Sequence, residues 1–214
     1  MAKRPGRPTG TSRAREALIE EATRFFLSKP YDKVSTRKIA ESASVDVALI
    51  RYYFGNKAGL FEATVRENAA PIIANLRQAI QDGRVETLND AVEAFYKVMS
   101  VGPNLPSLIF RCMMLDGQDQ QRQAIEKLFH DIILPVQQML FARFQEKGVL
   151  RDDIDPELAR MSFFSLMVLP FIMPQGMAAL QGISLNESYL LRLAGHNAAL
   201  LQHGIFKVQG EPPL

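Results

Sequence analysis

Hydrophobic positions recur at helical spacing along almost the whole chain, and no alternating run long enough for a strand interrupts them. Leu18, Ala22, Phe25 and Phe26 mark one face of a first helix from about Ser12 to Ser28, which stops before Lys29-Pro30. Ser35 or Thr36 can cap a short second helix carrying Ile39, Ala40 and Ala43. Ala43-Ser44-Val45 breaks the pattern, and Asp46 is placed to cap a third short helix with Ile50 and Phe54 inward. Gly55-Asn56 ends it with residues that tolerate left-handed backbone. A long helix is predicted over 57–81, closed by Asp82-Gly83, and further helices over 87–101, 104–116, 119–147, 156–181 and 186–206. Asp155-Pro156-Glu157 and Asn186-Glu187 are start signals, while Pro135, Pro170 and Pro174 fall inside helical patterns and predict kinks. The fold class is all-α. It divides into an arm over 1–12, a three-helix domain over 13–60, a larger helical domain over 61–208 and a loose tail over 209–214.

Composition adds limits. A chain of 214 residues, 47% apolar and 22% charged, suits a soluble globular protein of one or two domains. The single cysteine, Cys112, forbids an intrachain disulfide and points to a reducing, cytoplasmic setting. No charge occurs from Met161 to Asn186, a stretch long enough to span a bilayer, but Pro170, Pro174, Gln175 and Gly176 interrupt it. It is expected to be core, with no membrane partner. Met1-Ala2-Lys3-Arg4 is basic, but no apolar run follows, so no signal peptide is expected.

Net charge is only +2, yet residues 1–70 hold 13 Lys/Arg against 8 Asp/Glu. A basic N-terminal third suggests that one end meets a polyanion. Apart from Met1, every methionine lies beyond residue 98. Methionine fills irregular space and suits adaptable apolar surfaces, so the two regions carry cores of different kinds.

Short helix, tight turn and short helix over 35–54 is the helix-turn-helix plan, whose second helix lies in the major groove. If Ile50 and Phe54 pin that helix, then Val47, Ala48, Leu49, Arg51, Tyr52 and Tyr53 remain for the groove or the adjoining phosphates. Thr36-Arg37-Lys38-Ile39-Ala40, Ala43-Ser44-Val45, Tyr52-Tyr53-Phe54 and Lys57-Ala58-Gly59-Leu60-Phe61 stand in order and at the right spacing. They resemble the N-terminal domain of TetR-family transcriptional regulators, over Ala14 to Phe61. The resemblance implies a homodimer on a palindromic double-stranded DNA operator, a C-terminal domain holding an inducer, and repression as the default. Two departures matter. Ser44 stands where the family usually has glycine, and is tolerated if the backbone there is not strongly left-handed. Arg51 replaces a frequent tyrosine, so the operator sequence is not carried over.

Thr36, at a helix N-terminus, should offer its hydroxyl and backbone N–H to phosphate. Arg37 could reach a base or a phosphate. Arg51 is the best candidate for bidentate guanine readout, with Leu49 and Ala48 against thymine methyls. Tyr52 and Tyr53 should touch phosphates or sugars, and Lys57 phosphate. Lys3-Arg4-Pro5-Gly6-Arg7-Pro8 resembles an AT-hook core, so Arg4 and Arg7 would enter a minor groove or add nonspecific attraction.

In the larger domain, Phe95, Met99, Phe110, Met113, Met114, Phe129, Ile133, Phe163, Met167 and Phe171 are candidates to line one cavity for a small, largely apolar effector, with Met139, Phe164 and Met173 beside them. Arg111 or His130 would be its polar hook. The last two predicted helices, 156–181 and 186–206, are apolar on more than one face, which suits a four-helix dimer seam, and Leu190, Leu193, Asn197, Leu200 and Leu201 follow that spacing. No cofactor is expected, and no catalytic motif such as Gly-x-Ser-x-Gly, a P-loop or His-Glu-x-x-His occurs. His196 and His203 lack an acid or thiol nearby and make poor metal ligands. The rival reading is a sequence-tolerant architectural DNA-binding protein, which would leave over half the chain without a purpose.

Overall fold

The computed structural model describes residues 9–101 and 105–205, and every regular element among them is helical. The arm residues Arg4 and Arg7 and the tail over 209–214 lie outside the described residues. The chain forms two compact units. One runs up to Ala69 and takes in Cys112–Leu128; the other comprises Ala70–Arg111 and the chain from Phe129 onward.

The first unit contains α1 (Thr9–Ser28), a 3-10 turn at Tyr31–Lys33, α2 (Thr36–Ser42), α3 (Ala48–Phe54) and the opening half of α4 (Lys57–Gln81). Leu18, Phe26, Ile39, Leu60 and Phe61 are wholly buried there, at the positions where helical spacing puts an inward face. Phe26 and Tyr31 stack at 5.7 Å, and both meet Phe61 edge-on, which holds the turn after α1 against α4. Arg15 pairs with Glu67, and Asn68 donates to the Thr23 hydroxyl at 2.8 Å, so α1 and α4 are cross-linked twice. The segment Cys112–Leu128, read from sequence as part of the larger domain, belongs to this unit. Lys127 reaches Glu62 at 3.2 Å, and Ile125 and Leu128 are fully buried.

The helices after α4 are α5 (Leu88–Val101), α6 (Leu105–Met113), α7 (Gln120–Leu128), α8 (Leu134–Glu146), α9 (Pro156–Ile172), α10 (Gln175–Leu180) and α11 (Glu187–Gly204). The second unit packs Ile80, Phe95, Phe141, Phe144, Phe163, Met167 and Leu201 into one core. Two stretches read as single helices are broken. The segment over 119–147 widens into a π turn at Phe129–Ile133 just before Leu134-Pro135. A proline ring clashes with the carbonyl four residues back, and a wider turn relieves that clash. The segment over 156–181 breaks at Met173, which turns extended ahead of Pro174.

Pro170, by contrast, lies inside an unbroken α9. Having no N–H, it leaves the Leu166 carbonyl without its helical donor. Asn197, 4% exposed on α11, donates its amide to that carbonyl at 3.1 Å. A buried asparagine is thus explained by a proline on another helix.

Candidate nucleic-acid interface

Helix α2 starts as its sequence suggests: the Ser35 hydroxyl accepts from Lys38 N–H at 3.4 Å. It ends in a left-handed cap. Ser44 has φ +56°, its N–H bonds to Glu41 O at 3.1 Å, and Val45 N–H bonds to Ala40 O at 3.0 Å. The condition under which serine would sit there at ease, a backbone that is not strongly left-handed, does not hold. The chain carries a strained residue in the turn of its helix-turn-helix, because that bond pair requires the left-handed conformation. The same bond pair recurs after α4, α8 and α10, each time on a glycine: Gly83, Gly148 and Gly182.

Asp46 then accepts from Ala48 N–H at 2.7 Å and starts α3. Helix α3 buries Ile50 and half-buries Leu49, Tyr53 and Phe54. Its opposite face presents Ala48, Arg51 and Tyr52, the last 76% exposed, with Val47 exposed just ahead. Arg51 has no intramolecular partner among the described residues, and its guanidinium stands free. Tyr52 and Tyr53 meet edge-on at 4.9 Å. Arg15 lies over the Phe54 ring at 5.3 Å, so α1 braces the far end of α3. Hydrogen bonding to Glu67 holds the Arg15 guanidinium charged, raising its pKa despite some burial.

Of the remaining positions proposed from sequence, Thr36 is half-buried in the first turn of α2, and Arg37 is exposed with a loose 3.9 Å pairing to Glu41. Lys57 is differently occupied. Its ammonium donates to Tyr31 O at 2.6 Å and sits 4.2 Å from the Tyr31 ring centre. Burial lowers its pKa, while Asp32 pulls the other way. A phosphate contact from Lys57 would have to share this ammonium with the Tyr31 carbonyl.

The α3–α4 junction depends on two residues whose roles the motif did not explain. Asn56 accepts from Gly59 N–H at 2.9 Å and caps α4. At Gly59, a Cβ would fall 2.0 Å from the Phe54 carbonyl oxygen, inside van der Waals contact with backbone. Only glycine lets α4 begin that close to the end of α3, and this fixes the angle at which α3 is presented.

In the second unit the sequence-derived sets separate. Phe163 and Met167 are wholly buried and Phe95 nearly so, while Phe171 is partly buried against the same core. Met99 also packs partly buried on that core, and Ile133 is half-buried. Phe110, Met113, Met114 and Phe129 are exposed, and Met113 and Met114 belong to the first unit rather than the second. The ten therefore do not share one environment. Two buried polar atoms, the Tyr96 hydroxyl and Arg143 Nε, have no hydrogen-bond partner among the described residues.

The seam set divides between buried and exposed positions of α11. Asn197 and Leu201 are 4% and 1% exposed, Leu190 and Leu193 are half-buried, and only Leu200 is open. Apolar spacing along α11 marks the side packed within the protomer. On α9, the other helix of the expected seam, Leu158, Met161 and Leu169 form one outward stripe, and Leu191 is exposed on α11 beside Leu200. Among the described residues no helix is long and apolar enough to cross a membrane.

Known proteins share this arrangement. Residues 18–64 match the family model described as bacterial regulatory proteins, tetR family. The chain is 22% identical over 199 residues to the Bacillus subtilis protein named "Probable HTH-type transcriptional regulator YttP", covering 90% of this chain and 94% of that one. It is 25% identical over 152 residues to the HTH-type transcriptional repressor AcnR of Corynebacterium glutamicum, covering 68% and 73%. Among solved structures, the transcriptional regulator FadR from Bacillus subtilis in complex with stearoyl-CoA superposes with a TM-score of 0.68 at 19% identity, over 89% of this chain and 98% of that one.

Proposed function

We propose that this chain, whose N-terminal domain belongs to the tetR family of bacterial regulatory proteins, is a cytoplasmic ligand-responsive repressor that binds a two-fold symmetric operator as a homodimer. The observation that carries the reading is the outward face of α3. Its arginine is exposed and unpaired beside Ala48 and Tyr52, on a helix pinned from behind by Ile50 and braced by Arg15. Such a guanidinium is shaped to take a guanine edge in the major groove. Arg37 and Thr36 at the start of α2 flank it as phosphate contacts, and Arg4 and Arg7 add attraction from the arm. Release follows when an effector favours a domain arrangement that misplaces the two recognition helices, so operator affinity falls. A repressor among the relatives and a fold neighbour solved with an acyl-CoA support both halves of this reading.

Selection of bound sequences from random duplexes tests it: an enriched palindrome is expected, and equal binding of all DNA would favour the architectural alternative. On the selected site, Arg51→Ala should cost about 1–3 kcal/mol of affinity and relax one base position without lowering the melting temperature. Equal loss on random DNA would remove the base-reading role. The dimer is drawn together through the α9 stripe. Met161→Arg should yield folded monomer in analytical ultracentrifugation, and an unchanged dimer would place the seam elsewhere.

A further inference from the structure

Between the end of α9, the loop ahead of α11 and the first three turns of α11 lies an open cleft of about 180 Å³. Its walls are mostly apolar, from Leu166, Leu169, Pro170, Ile183 and Leu193, and Tyr189 and Asn197 line it beside them. Asn197 is 4% exposed, and its amide nitrogen donates one N–H to Leu166 O. Its amide oxygen has no partner among the described residues. A hydrogen-bond acceptor is therefore left unanswered at an apolar cleft, and burying it under a purely hydrocarbon guest would cost its hydration.

We infer that this cleft binds a small, uncharged, mostly apolar molecule that carries one hydroxyl or N–H, with Asn197 as its polar anchor. Size decides the class. A cavity of about 150 Å³ admits one benzene ring, so this cleft has room for a single ring with a short substituent. A carboxylate is disfavoured, because no cation lines the cleft to offset its charge. The proposal deepens the effector-responsive reading by naming its ligand class, and it moves the effector away from the set first expected around Phe95 and Phe163. Leu169 belongs both to the cleft wall and to the exposed α9 stripe.

The probe is p-cresol, compared with toluene and with benzoate, titrated into the full-length protein by calorimetry. p-Cresol is expected to bind about five-fold or more tighter than toluene, the worth of one hydrogen bond, and benzoate not at all. Asn197→Leu should erase the p-cresol preference. Ile183→Trp, on the cleft wall in a loop, should abolish binding of both rings while leaving the fold intact. Equal affinity for p-cresol and toluene, binding unaffected by Ile183→Trp, or no heat at millimolar p-cresol would each overturn the inference. Operator binding is measured in parallel. p-Cresol binding with operator affinity unchanged upholds the cleft and removes its regulatory role; loss of operator binding in the unliganded protein defeats the regulator reading alone.

Discussion

Helices α3 and α11 face opposite problems. Each buries an apolar face and shows another outward, yet Ala48, Arg51 and Tyr52 on α3 face outward as the sequence suggests, while of the set named on α11 only Leu200 does. In α3 the inward anchors are Ile50 and Phe54, and neighbouring contacts leave one rotation available: Asp46 caps its start, Arg15 covers Phe54, and Gly59 lets α4 abut its end. In α11, Leu190, Leu193, Asn197, Leu200 and Leu201 form a regular stripe, and a regular stripe is what any packed helix shows. Its exposed side, Ser188, Gly195, His196 and Ala199 flanked by Leu191 and Leu200, has no such pattern. Periodicity reports that a face is covered; it does not report whether the cover is the same chain or another.

The sharpest way to break that comparison is one substitution made in both places. Gly59→Ala drives a methyl into the Phe54 carbonyl, so α4 or α3 must shift. We expect a loss above about 3 kcal/mol in urea unfolding, or a displaced α3 that no longer binds DNA. Gly195→Ala meets nothing within 4 Å in the protomer and gains helix propensity, a rise of about 0.5–1 kcal/mol. A mild Gly59→Ala would mean that the junction is slack and that the presentation of α3 is set elsewhere.

A second experiment concerns the buried amide. Asn197→Leu strands the Leu166 carbonyl and should destabilise by about 1–3 kcal/mol in urea titration. Pro170→Ala restores the missing helical N–H, so in that background the cost should shrink by about 1 kcal/mol or more. Additive effects would mean that Asn197 is buried for some other reason.

Element existence, order and capping were legible because each rests on local chemistry. Ser35, Asp155 and Asn186 cap where they stand, and the glycine-terminated helices end where glycine permits. The broken helices show the limit. Pro135 and Pro174 flagged distortion, but whether a helix bends, widens or stops depends on the tertiary surroundings. The link between Pro170 and Asn197 spans two helices and carries no local mark. The bond from Lys57 to Tyr31, 26 residues earlier, likewise carries no local mark.

The smallest expected effect tests whether the strain in the reading turn is merely tolerated. Ser44 holds φ +56° at an exposed position, where the other three caps of the same type among the described residues use glycine. Left-handed backbone costs a residue with a Cβ roughly 1–2 kcal/mol. Glycine relieves that cost but returns up to about 1 kcal/mol through the greater freedom of the unfolded chain. Ser44→Gly should therefore stabilise by about 0.5–1 kcal/mol, read as a higher urea midpoint with unchanged slope. Gly148→Ser, the reverse exchange in the second unit, should cost a similar amount. Operator affinity should not move with Ser44→Gly, because the α2–α3 geometry is already the one that glycine prefers. If affinity drops while stability rises, the serine hydroxyl touches DNA, and the turn contributes to recognition beyond joining two helices.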